Sequence, residues 1–388
     1  MKTPAAVAFL AASLAAQTVQ SAQGVRFRLE EIATNVRQPV ALAFLPDGRA
    51  LFVQRQNPVI HILDVKTGTT TPVENGITAL VGEDRGAPDP RRPVAVTGED
   101  SGLHDLVLHP DYARNGWIYL SYSSGTVERS TTVVDRFRLR GNAMADRERI
   151  FTADAFSEDR FHYGGRMVWK EGLLYLSIGD RHHQDWAQDL TKHSGKILRL
   201  TEDGKVPPDN PFIGHETARA EIWTYGNRNV QGMVVHPQTG EIWASEHGPL
   251  GGDELNLIKR GANYGWALTS WGLQYSGGPI GMGIAEKEGI EPPVWVWTPG
   301  IAPSSLIVYT GDRFPQWKGS LLGGAMSLRH VNRLVLEEGR VVLEERILNR
   351  KIGRVRLVAQ GPDGTIYLGT DPSRTEPGKL YRLVPGTP

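Results

Sequence analysis

The chain has 388 residues, of which 40% are hydrophobic and 22% charged, so a large core is available and wholesale disorder is excluded. Lys plus Arg and Asp plus Glu both number 43, which removes the overall electrostatic footprint of a nucleic-acid binder. Cysteine is absent, which removes disulfides, thiolate metal sites and Cys nucleophiles.

In chain order, residues 1–22 come first. Lys2 precedes an apolar run from Ala5 to Ala16, followed by small residues at Ser21 and Ala22. This is the layout of a secretory leader, and the run is too short to span a bilayer. The expectation is an exported protein, periplasmic or secreted, with residues 1–22 as signal peptide, 23–388 as one domain and no transmembrane segment.

Six segments then share one layout: an apolar pair, a turn with Pro or Gly, and an alternating strand. They are LAFLPDGRALFV, LVLHPDYARNGWIYLSY, RMVWKEGLLYLSIGD, MVVHPQTGEIWASEHG, LIVYTGDRFPQWKGSLLGGA and VAQGPDGTIYLGTD. Anchored on Pro46, Pro110, Lys170, Pro237, Thr310 and Pro362, they recur at spacings of 52 to 73 residues. Period-2 alternation on both arms makes each a β-hairpin. A unit of about 60 residues has room for a four-stranded antiparallel blade. With 44 Gly and 25 Pro, the chain has little scope for long helices. The expected fold is all-β, a six-bladed β-propeller of four-stranded antiparallel blades; a two-domain β-sandwich leaves the six copies unexplained. His109 and His236 occupy the same slot before Pro in two units, which makes them structural hairpin residues.

Chemistry is sought where the copies differ. In RFHYGGRMVW, His162 precedes Gly164-Gly165, where an imidazole serves as a general base or as a solvated loop residue. In YGNRNVQGM, Arg228 offers a planar fork and Asn229 a donor and an acceptor; a self-bonded turn is the alternative. In SEHGPLGGDELNLIKRGANYGW, Gly248-Pro249 can turn carbonyls inward, and Asp253 and Glu254 add carboxylates, as hard Ca²⁺ requires; the spacing is not that of an EF-hand. Arg354 and Arg356, at i and i+2 of a strand, share a face and suit a polycarboxylate or phosphate, or else lie exposed. His182-His183 near Asp185 could form a transition-metal cluster but lacks a helical i, i+4 pair and reads as a solvated loop instead. There is no P-loop, G-x-S-x-G, H-E-x-x-H or Rossmann fingerprint.

Together these stretches, with GLHDLVLHPDY, LSIGDR, AQDLTKHSGKILRL and DGKVPPDNPF, span nearly all of the chain after the leader. They resemble, in order, the soluble PQQ-dependent aldose sugar dehydrogenases, the soluble glucose dehydrogenase-like family. The resemblance implies a six-bladed propeller that binds pyrroloquinoline quinone (PQQ) with Ca²⁺. It would oxidise aldoses at the anomeric carbon to lactones and pass the electrons to an external acceptor. Monomer and homodimer both stay open. By the same resemblance His162 matches the catalytic base, and Arg228 and Asn229 match quinone contacts. Arg354 and Arg356 match the carboxylate-binding pair, and Gly248 and Pro249 the carbonyl ligands of the active-site calcium. Glu254 and Tyr264 match ligands of a second, structural calcium.

Three positions depart from the pattern. Ser327 stands where a Lys is usual, with Arg329 nearby as a substitute cation. Asp100 stands near a usual Gln or Glu, and His104 replaces an apolar residue. Two other functions stay open: a calcium-dependent propeller lactonase or esterase, which would need a carboxylate- and Asn-rich axial site, and a cofactor-free binding module. No nucleic-acid partner is expected.

Overall fold

The structure is a computed structural model that describes residues 17–56, 58–79 and 94–386. Each of the six repeated segments forms the two inner strands of an antiparallel sheet. In the first sheet, Pro39–Phe44 and Ala50–Gln54 are followed by Ile60–Leu63 and Thr70–Pro72. The turn between the inner strands is written locally. Asp47 Oδ1 accepts the Arg49 N–H at 3.0 Å, and Gly48 takes φ +87°, a region L-residues avoid. Asp363 and Gly364 repeat this device in the sixth copy.

The other inner strands begin at Leu103, Gly164, Val230, Pro303 and Val355. Each packs against the inner strands of both neighbouring blades, and the last packs against the first, so the six sheets close into a ring. The expected propeller is therefore the observed fold. The short helix Tyr112–Asn115 and two single 3₁₀ turns are the helical content among the described residues.

Burial follows the blades. Six hydrophobic clusters lie between successive sheets, for example Leu120, Val133 and Phe137 with Val40 and Leu51 between the second and first blades. Each fully buried Leu, Val or Phe contributes about 1.5–3 kcal/mol relative to exposure, so the ring is held by the faces of its sheets.

Closure is made by strands far apart in sequence. Arg26–Val36 pairs antiparallel with Gly378–Pro385, so the N-terminal segment supplies the fourth strand of the last blade. Glu30 and Glu31 meet Arg382 and Lys379 across this seam at 2.8 and 2.9 Å. Opening the ring would expose two unpaired strand edges. Within the expected leader, residues 1–16 lie outside the described residues. Gln17–Gln20 adds a fifth strand beyond Arg26–Val36, which a chain cut after residue 22 would lack.

Strand direction decides where chemistry collects. In an antiparallel blade, the start of the first strand and the end of the second lie at the same end. Loops 153–163 and 226–229 lead into first strands; loops 179–183, 247–252 and 371–373 leave second strands. One rim of the ring therefore receives them all, and the Pro-Gly turns fall on the other.

Candidate active site

His162 sits on that rim with φ +50°, a left-handed conformation that costs a non-glycine residue of order 1–3 kcal/mol. The fully buried Arg181 holds its loop. It donates to Asp159 O at 2.6 Å and to Phe161 O, and its guanidinium lies 3.5 Å over the Tyr163 ring. His162 Nδ1 is 2.7 Å from Asp180 Oδ1. Asp180 is buried, yet its carboxyl is held below the usual carboxylate range. Burial pushes it up, and His162, Arg228 and the His182 N–H outweigh that. Because the acceptor is ionised, Nδ1 carries the proton and donates, which leaves Nε2 with a lone pair. Asp180 Oδ2 accepts the Trp266 indole N–H at 2.7 Å, which fixes the carboxylate plane.

Asp180 and Arg181 were not singled out from sequence. Both lie in the LSIGDR stretch, and a buried acid leaving an inner strand was the available signal.

Arg228 continues the same surface. Its N–H donates to Glu246 Oε2 at 2.5 Å, and its Nη1 to the carbonyls of His247 and Gly248 at 3.1 Å each. Its guanidinium lies 5.1 Å from the Trp266 ring, and its buried Nε has no protein partner. Asn229 is buried, and its amide oxygen accepts from Gly164 N–H and Gln231 Nε2 at 3.2 and 3.0 Å. It thus ties the third and fourth inner strands together. His247 is kept neutral, its pKa lowered to about 3 mainly by desolvation, and it bonds Pro303 O at 2.7 Å.

Gly248 lies in a cradle that only glycine fits: a Cβ would stand 2.3 Å from Gly251 O and 2.4 Å from Gly252 O. Its N–H donates to Asp253 Oδ1 at 2.8 Å, and its carbonyl faces Arg228; Pro249 follows on the same loop. Behind it, a cavity of ≈ 20 Å³ is lined by Arg228, Glu246, Gly248, Glu254, Tyr264 and Trp266, among others. Burial, and then the neighbouring Glu246, push Glu254 up to about 8; Glu246 is also raised. Asn256 Nδ2 is the shared donor between them, at 3.0 and 3.3 Å. Glu246 also accepts from Asn227 Nδ2 and the Arg228 N–H, whereas Glu254 has Asn256 as its side-chain donor, so the two form an acid pair whose Glu254 member a hard cation would relieve. Tyr264 differs from a free phenol ligand: its hydroxyl donates to Leu257 O at 2.6 Å and accepts from Lys259 N–H at 2.8 Å. Its backbone carbonyl is the oxygen left for a cation.

Arg354 and Arg356 converge as their spacing requires, but on a residue of the chain itself. Arg356 is buried and grips Asp371 through two bonds of 2.5 and 2.7 Å; Arg354 is about half exposed and reaches Asp371 at 3.5 Å. Asp371 was not identified from sequence, although LGTD ends the sixth hairpin.

Asp100 links the two halves of the rim. Desolvation works against its charge, but Arg55, His162, His247 and Arg356 together hold its carboxyl low. His104 is buried, stacked on Tyr163 at 5.1 Å, and kept neutral by burial and by Arg55, Arg181 and Arg166. Ser327 donates to Gly300 O at 2.7 Å, and Arg329 is exposed. His109 and His236 serve their turns as expected: His109 Nδ1 accepts the Asp111 N–H and His236 Nδ1 the Thr239 N–H. His183 stacks on Trp186 at 3.9 Å, and among the described residues no group of three or more His, Asp or Glu is placed to hold a metal by side chains alone.

A single rim of a six-bladed ring thus carries an oriented imidazole–carboxylate pair beside arginines, the arrangement of a propeller enzyme rather than of an inert scaffold. The family model of Glucose / Sorbosone dehydrogenase matches residues 36–382, and the chain belongs to this family. It is 37% identical to the aldose sugar dehydrogenase YliI of Escherichia coli (strain K12) over 92% of each chain. Among solved structures it is similar to the apo-form of the soluble aldose sugar dehydrogenase of E. coli, with TM-score 0.82, 35% identity, 93% of this chain and 100% of that one. It is also similar to the PQQ-bound aldose sugar dehydrogenase of Streptomyces coelicolor, with TM-score 0.71, 25% identity, and 92% and 97% of the two chains.

Proposed function

We propose that this protein is a PQQ- and calcium-dependent aldose dehydrogenase that converts sugars to lactones and passes electrons to an external acceptor. The observation that carries it is the His162–Asp180 pair, with Nε2 free, next to an Arg228 whose buried Nε lacks a partner. The family membership and the PQQ-bound relative support the cofactor.

The residues fit such a group. Arg356 and Arg354 would hold its carboxylates, Asn229 would help seat it, and the Gly248 and Pro249 carbonyls would offer oxygens to Ca²⁺. When bound, the quinone supplies a hydride acceptor. His162 Nε2 takes the proton of the anomeric hydroxyl, and Asp180 stabilises the resulting imidazolium and keeps the ring in place. Arg228 presents its unpaired N–H to developing negative charge. A hydrolytic reading would require a carboxylate-rich axial metal site, which the described residues do not gather.

The test is titration of apo-protein with PQQ and Ca²⁺, followed by aldose-driven dye reduction. Activity should require both; full activity with NAD and no quinone would sink the reading. We further propose residues 1–22 as a leader and a periplasmic or secreted location, checked by N-terminal sequencing of the exported protein. No helix among the described residues is long and apolar enough to cross a membrane.

Calcium should show a pH signature without any sugar. Glu254 titrates from an ordinary 4.5 to about 8 in the fold. Between these values the folded chain keeps a proton that the unfolded chain has lost, so apo stability falls as pH rises through the window. A cation on the deprotonated pair restores it, by about 2.7 kcal/mol at a hundredfold excess over Kd. Thermal melts at pH 5 and pH 8 should show a calcium-induced rise mainly at pH 8. A rise equal at both values would place the ion elsewhere.

A further inference from the structure

A second imidazole–carboxylate pair stands beside the first. His182 Nδ1 lies 2.8 Å from Asp159 Oδ2, and its ring meets the His162 ring edge to face with centroids 5.1 Å apart. The His182 N–H donates to Asp180 Oδ1 at 2.9 Å, the same oxygen that accepts His162 Nδ1–H. Exposure rises in one step along this line. The side chains of Asp180 and His162 are 1% and 11% exposed, those of Asp159 and His182 28% and 49%. The neighbouring groups hold His182 in this place. Phe161 packs on its ring at 5.6 Å, and Arg181 pins the Asp159 and Phe161 carbonyls from below. Residues 181 and 182 both adopt positive φ, +57° and +64°. Two successive non-glycine residues in this region are a strained backbone, and the turn they form delivers the His182 ring to the base.

We propose that His182, oriented by Asp159, is the proton outlet of His162. The inference rests on the reading of His162 as the base. Oxidation of an aldose to its lactone releases two electrons and two protons; the electrons reach the external acceptor and the protons reach water. His162 Nε2 receives the hydroxyl proton, and its Nδ1–H stays committed to Asp180, so the proton must depart from Nε2. One intervening water carries it to His182 Nε2. The Nδ1–H of His182 is held by Asp159, which stabilises the imidazolium formed there, and the half-exposed ring hands the proton to buffer. His162 is then neutral for the next substrate. With only 11% of its side chain exposed, His162 meets bulk buffer far less than the half-exposed His182, so a neighbour that carries the proton outward speeds its return to the neutral form.

The experiment uses holoenzyme with saturating sugar and dye, comparing the parent with His182→Ala and Asp159→Asn. In dilute non-imidazole buffer, His182→Ala should turn over about tenfold more slowly, less than the 10²–10⁴ of losing a direct base. Added imidazole should restore the rate, and stopped-flow reduction of the quinone in the first turnover should be unchanged. Asp159→Asn should give a smaller loss that imidazole also restores. In the apo-protein at a pH low enough to form the His162 imidazolium, NMR should show slower exchange of its Nε2–H with water in His182→Ala. Parental turnover by His182→Ala in dilute buffer overturns the proposal. So does a loss that imidazole does not rescue and that also slows the first turnover, since that marks a structural role. If parental holoenzyme shows no sugar-driven quinone reduction, the underlying reading fails and the proton route falls with it.

Discussion

His162→Ala is expected to lower turnover on aldoses by 10²–10⁴-fold while the cofactor still binds. The split follows from position. His162 is anchored by Asp180 in the third blade, whereas Arg228, Asn229, Arg354 and Arg356 come from the fourth and sixth. Asp180→Asn should approach the same loss without removing the imidazole, because a neutral amide no longer selects the Nδ1–H tautomer; the same change in a Ser–His–Asp triad costs about 10⁴-fold. Trp266 would keep the amide in place, so the fold should survive. Stopped-flow reduction of bound quinone by sugar, beside an equilibrium titration of PQQ, measures both quantities. Parental reduction rates in His162→Ala, with a loss in a His182 or His183 variant instead, would show the base to be misassigned.

The second large effect concerns the arginine clamp. Arg356→Ala should weaken PQQ binding by roughly ten- to hundredfold, the equivalent of one lost charge-assisted contact of about 1.5–3 kcal/mol. It should also lower the melting temperature, because Asp371, only 6% exposed, loses its bidentate partner and becomes an unpaired buried carboxylate. Arg354→Ala should weaken PQQ as well but leave the melting temperature nearly unchanged, since that side chain is 44% exposed and only 3.5 Å from Asp371 at closest. Calorimetric titration alongside thermal melts separates binding from stability. Unchanged affinity in both variants would remove the arginines from the cofactor site and leave them as a structural pair.

These expectations depend on contacts that differ in how far the sequence disclosed them. Gly248 was legible as a loop glycine, but its need to be glycine comes from the carbonyls of Gly251 and Gly252 folding back on it. Arg354 and Arg356 were legible as a same-face pair, since strand alternation is a local property. Their capture by Asp371, 15 residues beyond Arg356 and on the neighbouring strand's exit, was not. Tyr264 was legible only through the family resemblance, as a calcium ligand, and the turn at Leu257–Lys259 consumes both bonds of its hydroxyl.

What the sequence determined by itself is whatever depends on near neighbours. Alternation with period two, broken by Pro, Asp and Gly, specified six inner hairpins, because strand faces and tight turns are settled within a dozen residues. Six copies needing a face to bury against specified the ring. The order of the motifs specified the family. The tertiary structure alone decided how the ring shuts and what surrounds the base. Arg26–Val36 finds Gly378–Pro385 across some 350 residues, and no local pattern names a partner at that distance. Asp180 reaches His162 because antiparallel pairing returns the end of the second strand to the start of the first. His162, Arg228 and the His182 N–H then hold this buried aspartate ionised against its own desolvation, so that it sets the tautomer, and those neighbours come together only when the blades close.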